Sequence, residues 1–171
     1  MIYTLTPYYP GDLGKAYNDS IEALPKDSLI CLIDSDVMFL HSKWGEQLRE
    51  YHFLNNEYDL LTCYTNRVGN LEQCFKGEIS NNKDITYHYT IAALLSQRVP
   101  KIIPLKNPIS GMVMFFSRKT WKKVGGFKEG GILGIDNDFS SKCNKVGLMT
   151  TVYAFHYYRL HKKISDKTHL I

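Results

Sequence analysis

The sequence lacks several features that would assign a protein to a broad class at once. No apolar run approaches the ~20 residues of a membrane-spanning helix, and Met1–Tyr8 shows no basic segment followed by a long apolar stretch. Cysteine is scarce and widely spaced, without a CxxC pair: Cys31, Cys63, Cys74 and Cys143. A zinc ribbon and a disulfide scaffold are therefore excluded. We expect no transmembrane segment, a cytoplasmic location and reduced thiols in the core.

Excess charge of one sign is also missing. The chain has 21 Lys+Arg and 17 Asp+Glu, for a net charge of +4, and it contains no RNP-like motif or recognition-helix signature. We therefore expect no nucleic-acid partner. With 44% hydrophobic and 22% charged residues, the composition is that of an ordinary globular protein. The length and the absence of a linker or repeat predict one domain over residues 1–171.

Strand-like and helix-like segments alternate along the chain. A short first strand is predicted at Ile2–Pro7, followed by apolar strands at Leu29–Ile33, Asp59–Thr65, Met112–Phe116 and Leu148–Phe155. Helices are predicted at Asp12–Ala23, Ser42–Asn55, Ile85–Gln97, Lys119–Val124 and Asp136–Val146, with a polar loop over Asn70–Asp84. This alternation predicts an α/β fold, with helices flanking a mostly parallel central sheet.

Two carboxylates follow the strand Leu29–Ile33. Asp34 and Asp36 flank Ser35, and residues i and i+2 of an extended chain point to the same side. Two negative charges that close together need a shared proton or a cation, and Mg²⁺ or Mn²⁺ binds one or two carboxylates together with phosphate oxygens. An ordinary turn after a strand is also rich in Asp and Ser, so the motif by itself leaves both interpretations open.

Two later residues are further candidates. Asp136 lies where a helix should begin, which fits an N-cap and also a general base at the end of the sheet; taken alone, the residue favours the cap. His156 follows the last predicted strand in an aromatic segment. A single histidine in such a segment is more often packed than a ligand, and no other histidine shows metal-like spacing with it.

Taken in this order, the features resemble the GT-A-fold glycosyltransferases, especially the family-two-like group. The matching segments are Gly14–Ile21, Asp27–Asp36, Ser110–Arg118, Val124–Phe127 and Asp136–Phe139, together with Gly147 and His156. The sequence departs from the family in three respects. Only one strand and one helix precede the D-x-D motif, Ile135 stands where Glu is common, and Lys142 stands where Arg is usual.

The resemblance implies a single GT-A-like (Rossmann-like) domain that moves a sugar from a nucleoside-diphosphate sugar to an acceptor hydroxyl, with inversion. A UDP-sugar is the favoured donor, and a carbohydrate or another hydroxyl compound is the acceptor. The resemblance implies Asp136 as the general base and Mn²⁺ or Mg²⁺ held by Asp34, Asp36 and His156. The implied donor-binding residues are Thr6, Pro7, Tyr8, Lys15, Asp34, Ser35 and Asp36, with Arg159 or Lys162 adding positive charge near the phosphates.

Three other functions fit parts of the sequence. A haloacid-dehalogenase-like phosphatase also has D-x-D at a strand end, with Asp34 as nucleophile, but it leaves Val124–Phe127 unexplained. A non-catalytic relative that binds a nucleotide or sugar fits the short N-terminal half. A plain interaction domain without a ligand fits least, because two carboxylates stand together at a strand end.

Overall fold

The computed structural model describes residues 1–55, 57–106 and 108–157. Its strands are β1 (Ile2–Leu5), β2 (Leu29–Ile33), β3 (Val37–Phe39), β4 (Leu60–Thr65), β5 (Ile102–Pro104), β6 (Val113–Ser117) and β7 (Val146–His156). Its α-helices are α1 (Leu13–Glu22), α2 (Trp44–Leu54), α3 (Ile85–Ser96), α4 (Arg118–Val124) and α5 (Ile135–Lys142), and two short 3-10 turns lie at Leu71–Gln73 and Phe75–Gly77. No helix within these described ranges is long and apolar enough to cross a membrane.

The strands form one seven-stranded sheet in the order β1-β2-β6-β4-β7-β3, with β5 also paired to β7. Strands β1, β2, β4 and β7 run in one direction, and β6, β3 and β5 run against them. The α/β class is confirmed, and the central sheet is mixed. Strand β3 runs against β2 because only a tight turn separates these two consecutive strands. Strands β5 and β6, which are joined by a loop, both run against β7 and β4.

Both faces of the sheet are covered by helices. Ile30 of β2 belongs to one buried cluster with Ile21 of α1, and Cys31 belongs to a second buried cluster with Leu48 of α2. Because alternate residues of a strand point to opposite faces, a strand that is buried on both sides is apolar throughout. This explains the predicted strand Leu29–Ile33, whose bounds the structure reproduces. The four cysteines are free thiols, and three of them are buried.

Several elements differ from their sequence predictions. Strands β3 and β5 were not predicted, because three residues are too few to show a period. The last helix ends at Lys142 rather than Val146. The Asp59 carboxylate accepts a hydrogen bond from the Asn144 N–H (2.8 Å), which holds this segment against the start of β4.

Helix α1 lies very close to the segment that follows α4. A Cβ atom added to Gly14 would lie 1.9 Å from the Lys128 carbonyl oxygen, so a side chain does not fit there. One turn later, Asn18 donates from Nδ2 to the Phe127 carbonyl (2.9 Å) and accepts from the Phe127 N–H at Oδ1 (2.9 Å). Two of the sequence segments that resemble the glycosyltransferases, Gly14–Ile21 and Val124–Phe127, therefore contact each other directly.

This close approach predicts opposite effects of the same substitution in two helices. Gly14→Ala should lower the free energy of unfolding by about 1–3 kcal/mol, because the added methyl group meets backbone that must move. Gly45 occupies the equivalent second position of α2, where an added Cβ meets nothing within 4 Å. Gly45→Ala should raise stability by up to about 1 kcal/mol, since alanine is the better helix former. Urea unfolding measures both, and equal effects would contradict the packing described.

Candidate functional site

One edge of the sheet collects polar residues from several strands. Strands β2, β4 and β7 end at this edge because they run in the same direction, and β6 begins there because it runs against them. The chain segments at these strand ends carry Asp34, Asn66, His156 and Gly111. The region beyond the carboxyl ends of parallel strands is where open α/β sheets bind their ligands.

Asp34, Asp36 and His156 lie together at this edge. One potential ligand atom of each lies within 4.8 Å of the other two, and His156 Nε2 is 3.2 Å from Asp36 Oδ1. The pairing of Val37 with His156 places the start of β3 beside the end of β7. The Val37 N–H also donates to the Asp34 carbonyl (3.1 Å), so a tight turn brings both carboxylates near the ring. The structure thus brings together the three residues that were predicted as metal ligands.

The orientation of the His156 ring is fixed by its surroundings. The side chain is buried, and Nδ1 lies 3.1 Å from the Arg67 carbonyl oxygen. Since a carbonyl oxygen can only accept, Nδ1 carries a proton, and Nε2 is directed towards Asp36. The short distance between Nε2 and the carboxylate is favourable when the two groups share a proton or bind a common cation. Histidine ligands of metals are commonly held in this way through their other nitrogen.

The surroundings of Asp34 disfavour the ionised form of its carboxyl group. Burial raises its pKa from 3.8 to about 6; His156 acts in the opposite direction, and the negative charges of Asp36 and Asp136 raise the pKa further. At neutral pH, above this pKa, the Asp34 carboxylate is therefore ionised although its burial disfavours the charge. A bound divalent cation would relieve this unfavourable charge.

Asp136 lies at the same edge, in the first turn of α5. Gly134, with a φ of 71°, is the N-cap of this helix, so the interpretation of Asp136 as the cap is wrong: the helix begins one residue before it. Instead, Oδ2 accepts from the Gly111 N–H (2.7 Å) and Oδ1 accepts from the Asn137 N–H (2.9 Å). These bonds orient the carboxylate, and each oxygen keeps a second lone pair that can accept a proton.

A pocket of about 280 Å³ is lined by Asp34, His156 and Asp136 together. Tyr17 of α1 also lines it, and burial, followed by the charges of Asp34 and Asp136, raises the pKa of its phenol. Tyr17 therefore stays protonated and can donate a hydrogen bond to a ligand. From the sequence, Tyr17 was assigned only to the apolar stripe of α1, and nothing in its local pattern indicates a place in the site.

The other predicted donor-binding residues do not line this pocket in the described part of the chain: Thr6, Pro7, Tyr8, Lys15, Ser35 and Asp36, of which Asp36 lies beside His156. The first three follow β1 at the same edge of the sheet, with Tyr8 71% exposed. Lys15 is on the surface of α1, in an ion pair with Asp19 (2.8 Å). Ser35 is exposed in the turn between the two carboxylates.

The predicted basic residues of the C-terminal segment, Arg159 and Lys162, lie outside the described residues. The structure therefore tests neither of them.

No protein-family model and no curated protein sequence matches the chain. Similar solved structures include S. aureus TarS 1-349, with 14% identity and a TM-score of 0.47 over 84% of this chain. They also include S. aureus TarS 1-349 in complex with UDP-GlcNAc, with 13% identity and a TM-score of 0.46 over 85% of this chain. The chain spans 39% of the length of each. At these values the likeness assigns no residue and no ligand.

The raised pKa of Asp34 predicts how stability changes with pH in the metal-free protein. Because the folded-state pKa is about 6 against an ordinary 3.8, ionisation opposes folding. This cost is absent below about pH 4, where the group is protonated in both states, and it is complete above about pH 6. Asp34→Asn should therefore match the parent near pH 4 and exceed its stability near pH 8 by on the order of 2 kcal/mol.

Urea unfolding with a metal chelator present, at these two pH values, measures the difference. A stability difference that is the same at both would contradict the effect of burial on Asp34.

Proposed function

We propose that this protein is a nucleotide-sugar glycosyltransferase that works with a divalent cation at Asp34, Asp36 and His156. The observation that carries the proposal is one pocket that is lined by two members of this cluster, Asp34 and His156, and by the separately oriented carboxylate of Asp136. The sequence resemblance to the GT-A-fold glycosyltransferases supplies the reaction class.

The ligand set suits the expected cations. Two carboxylates and one imidazole leave positions for water and for the phosphate oxygens of a nucleotide. The imidazole favours Mn²⁺ over Mg²⁺, because nitrogen ligands suit first-row transition metals and Mg²⁺ prefers oxygen. When bound, the cation would neutralise the charge of the departing nucleoside diphosphate.

The chain's own groups would act on the acceptor. Asp136, held by the N–H groups of Gly111 and Asn137, would take the proton from the acceptor hydroxyl as that oxygen bonds to the anomeric carbon. The bond from this carbon to the diphosphate oxygen breaks in the same step, so its configuration inverts. Tyr17, protonated and buried beside Asp34, would hydrogen-bond the donor.

Two substitutions should separate binding from chemistry. Asp36→Asn removes a charged ligand and should weaken Mn²⁺-dependent binding of UDP by about tenfold or more. Asp136→Asn should leave that binding nearly unchanged but lower the turnover of a UDP-sugar by about 10²-fold or more, because an amide cannot accept the proton. Calorimetry with UDP and Mn²⁺ measures binding, and release of UDP from a panel of UDP-sugars with simple glycosides as acceptors measures turnover.

The matched control is Asp138→Asn, on the same helix. Asp138 forms an ion pair with Lys142 (2.6 Å) on the surface of α5, so its loss should change neither quantity. If the parent protein shows no Mn²⁺-dependent UDP binding, or if Asp136→Asn turns over as the parent does, the proposed function is wrong.

A further inference from the structure

The backbone and the ring of His156 are both held by the two residues that follow β4. The His156 N–H donates to Asn66 Oδ1 (2.7 Å), and Asn66 Nδ2 donates to the His156 carbonyl oxygen (3.0 Å). The next residue, Arg67, accepts from the ring Nδ1 through its carbonyl oxygen (3.1 Å). Asn66 and Arg67 are almost fully buried, at 1% and 3% exposed.

Asn66 replaces a missing strand partner. The pairing of β4 with β7 ends at Thr65 and Ala154, two residues before the end of β7. A side-chain amide has the same donor and acceptor as a peptide group, so Asn66 continues the pairing while its own backbone turns away. That turn places the Arg67 carbonyl against the ring. A strand that continued in a regular way would satisfy the backbone of His156 but would not offer this carbonyl to Nδ1.

The same two-bond clamp occurs elsewhere in the described chain. Asn18 clamps the backbone of Phe127, as described above. Gln73 clamps Ser110, accepting from its N–H (2.7 Å) and donating to its carbonyl oxygen (3.0 Å). The clamp on His156 differs because the backbone that it fixes belongs to a predicted metal ligand.

We infer that Asn66 is a positioning residue for the cation site. It holds the end of β7 so that the Nδ1 proton of His156 meets the Arg67 carbonyl and Nε2 is directed to Asp36. Asn66 itself would touch neither the cation nor the substrate. This role rests on the cation site of the proposed function. It adds to that function the contacts that determine which ring nitrogen of His156 faces the cation.

Electron paramagnetic resonance of bound Mn²⁺ tests this role, because a directly coordinated imidazole nitrogen modulates the spin echo. The parent protein with Mn²⁺ should show this nitrogen coupling, and His156→Ala should lack it. Asn66→Ala should reduce or abolish the coupling and weaken Mn²⁺ binding by about 10- to 100-fold, as loss of an outer partner does at other metal sites. If the alanine variant fails to fold, the same measurement is made on Asn66→Asp.

The aspartate variant keeps the acceptor for the His156 N–H and loses the donor to its carbonyl. Its added negative charge would attract Mn²⁺, so a loss of coupling in this variant cannot come from charge repulsion. The control is Asn18→Ala, which removes the equivalent clamp from Phe127. It should lower the melting temperature and leave both the nitrogen coupling and the Mn²⁺ affinity unchanged.

The outcomes separate two kinds of failure. If the folded Asn66 variants keep the parental coupling and affinity, the positioning role is overturned and the cation site stands. If the parent shows no nitrogen coupling and binds Mn²⁺ no better than His156→Ala, the cation site itself is wrong, and the role of Asn66 is overturned with it. Loss of coupling in Asn18→Ala as well would also overturn the inference, because the effect would then follow stability alone.

Discussion

The candidate site depends on how the end of β7 is held. His156, the last residue of this strand, pairs with Val37 of β3 on one side and with the Asn66 amide on the other. The first pairing brings the two-carboxylate turn to the ring, and the second brings the Arg67 carbonyl to its Nδ1. The end of β7 thus determines which groups surround the imidazole and which ring nitrogen faces each of them.

A second set of contacts positions Asp136 relative to this cluster. Asn18 fixes Phe127 to α1, and the ring of Phe127 stacks on Phe139 of α5 with centroids 4.1 Å apart. The first turn of that helix is tied to the start of β6 through the hydrogen bond between Asp136 and Gly111. Packing that involves no ligand therefore holds α5, and with it Asp136, against α1 and the start of β6, as a preorganised base requires.

Features that depend on residues close together in the sequence were predicted, and features that depend on residues far apart in the sequence were not. The strand Leu29–Ile33 and the Asp12 cap, which accepts from the Lys15 N–H (2.9 Å), depend on neighbouring residues and were predicted correctly. The direction of β6 depends on pairing between distant strands and has no local signal. Asn66 lies 90 residues from the histidine that it clamps, so nothing in its own segment indicated that role.

We propose that Asp34, Asp36 and His156 hold a divalent cation beside a nucleoside diphosphate. The most direct measurement is an anomalous difference map at the manganese absorption edge, from crystals grown with Mn²⁺ and UDP. We expect a manganese peak within bonding distance of Asp36 and His156 and in contact with the diphosphate. Bound UDP with no peak at that position, or with the ion held by other residues, would show that Asp36 and His156 do not form the cation site.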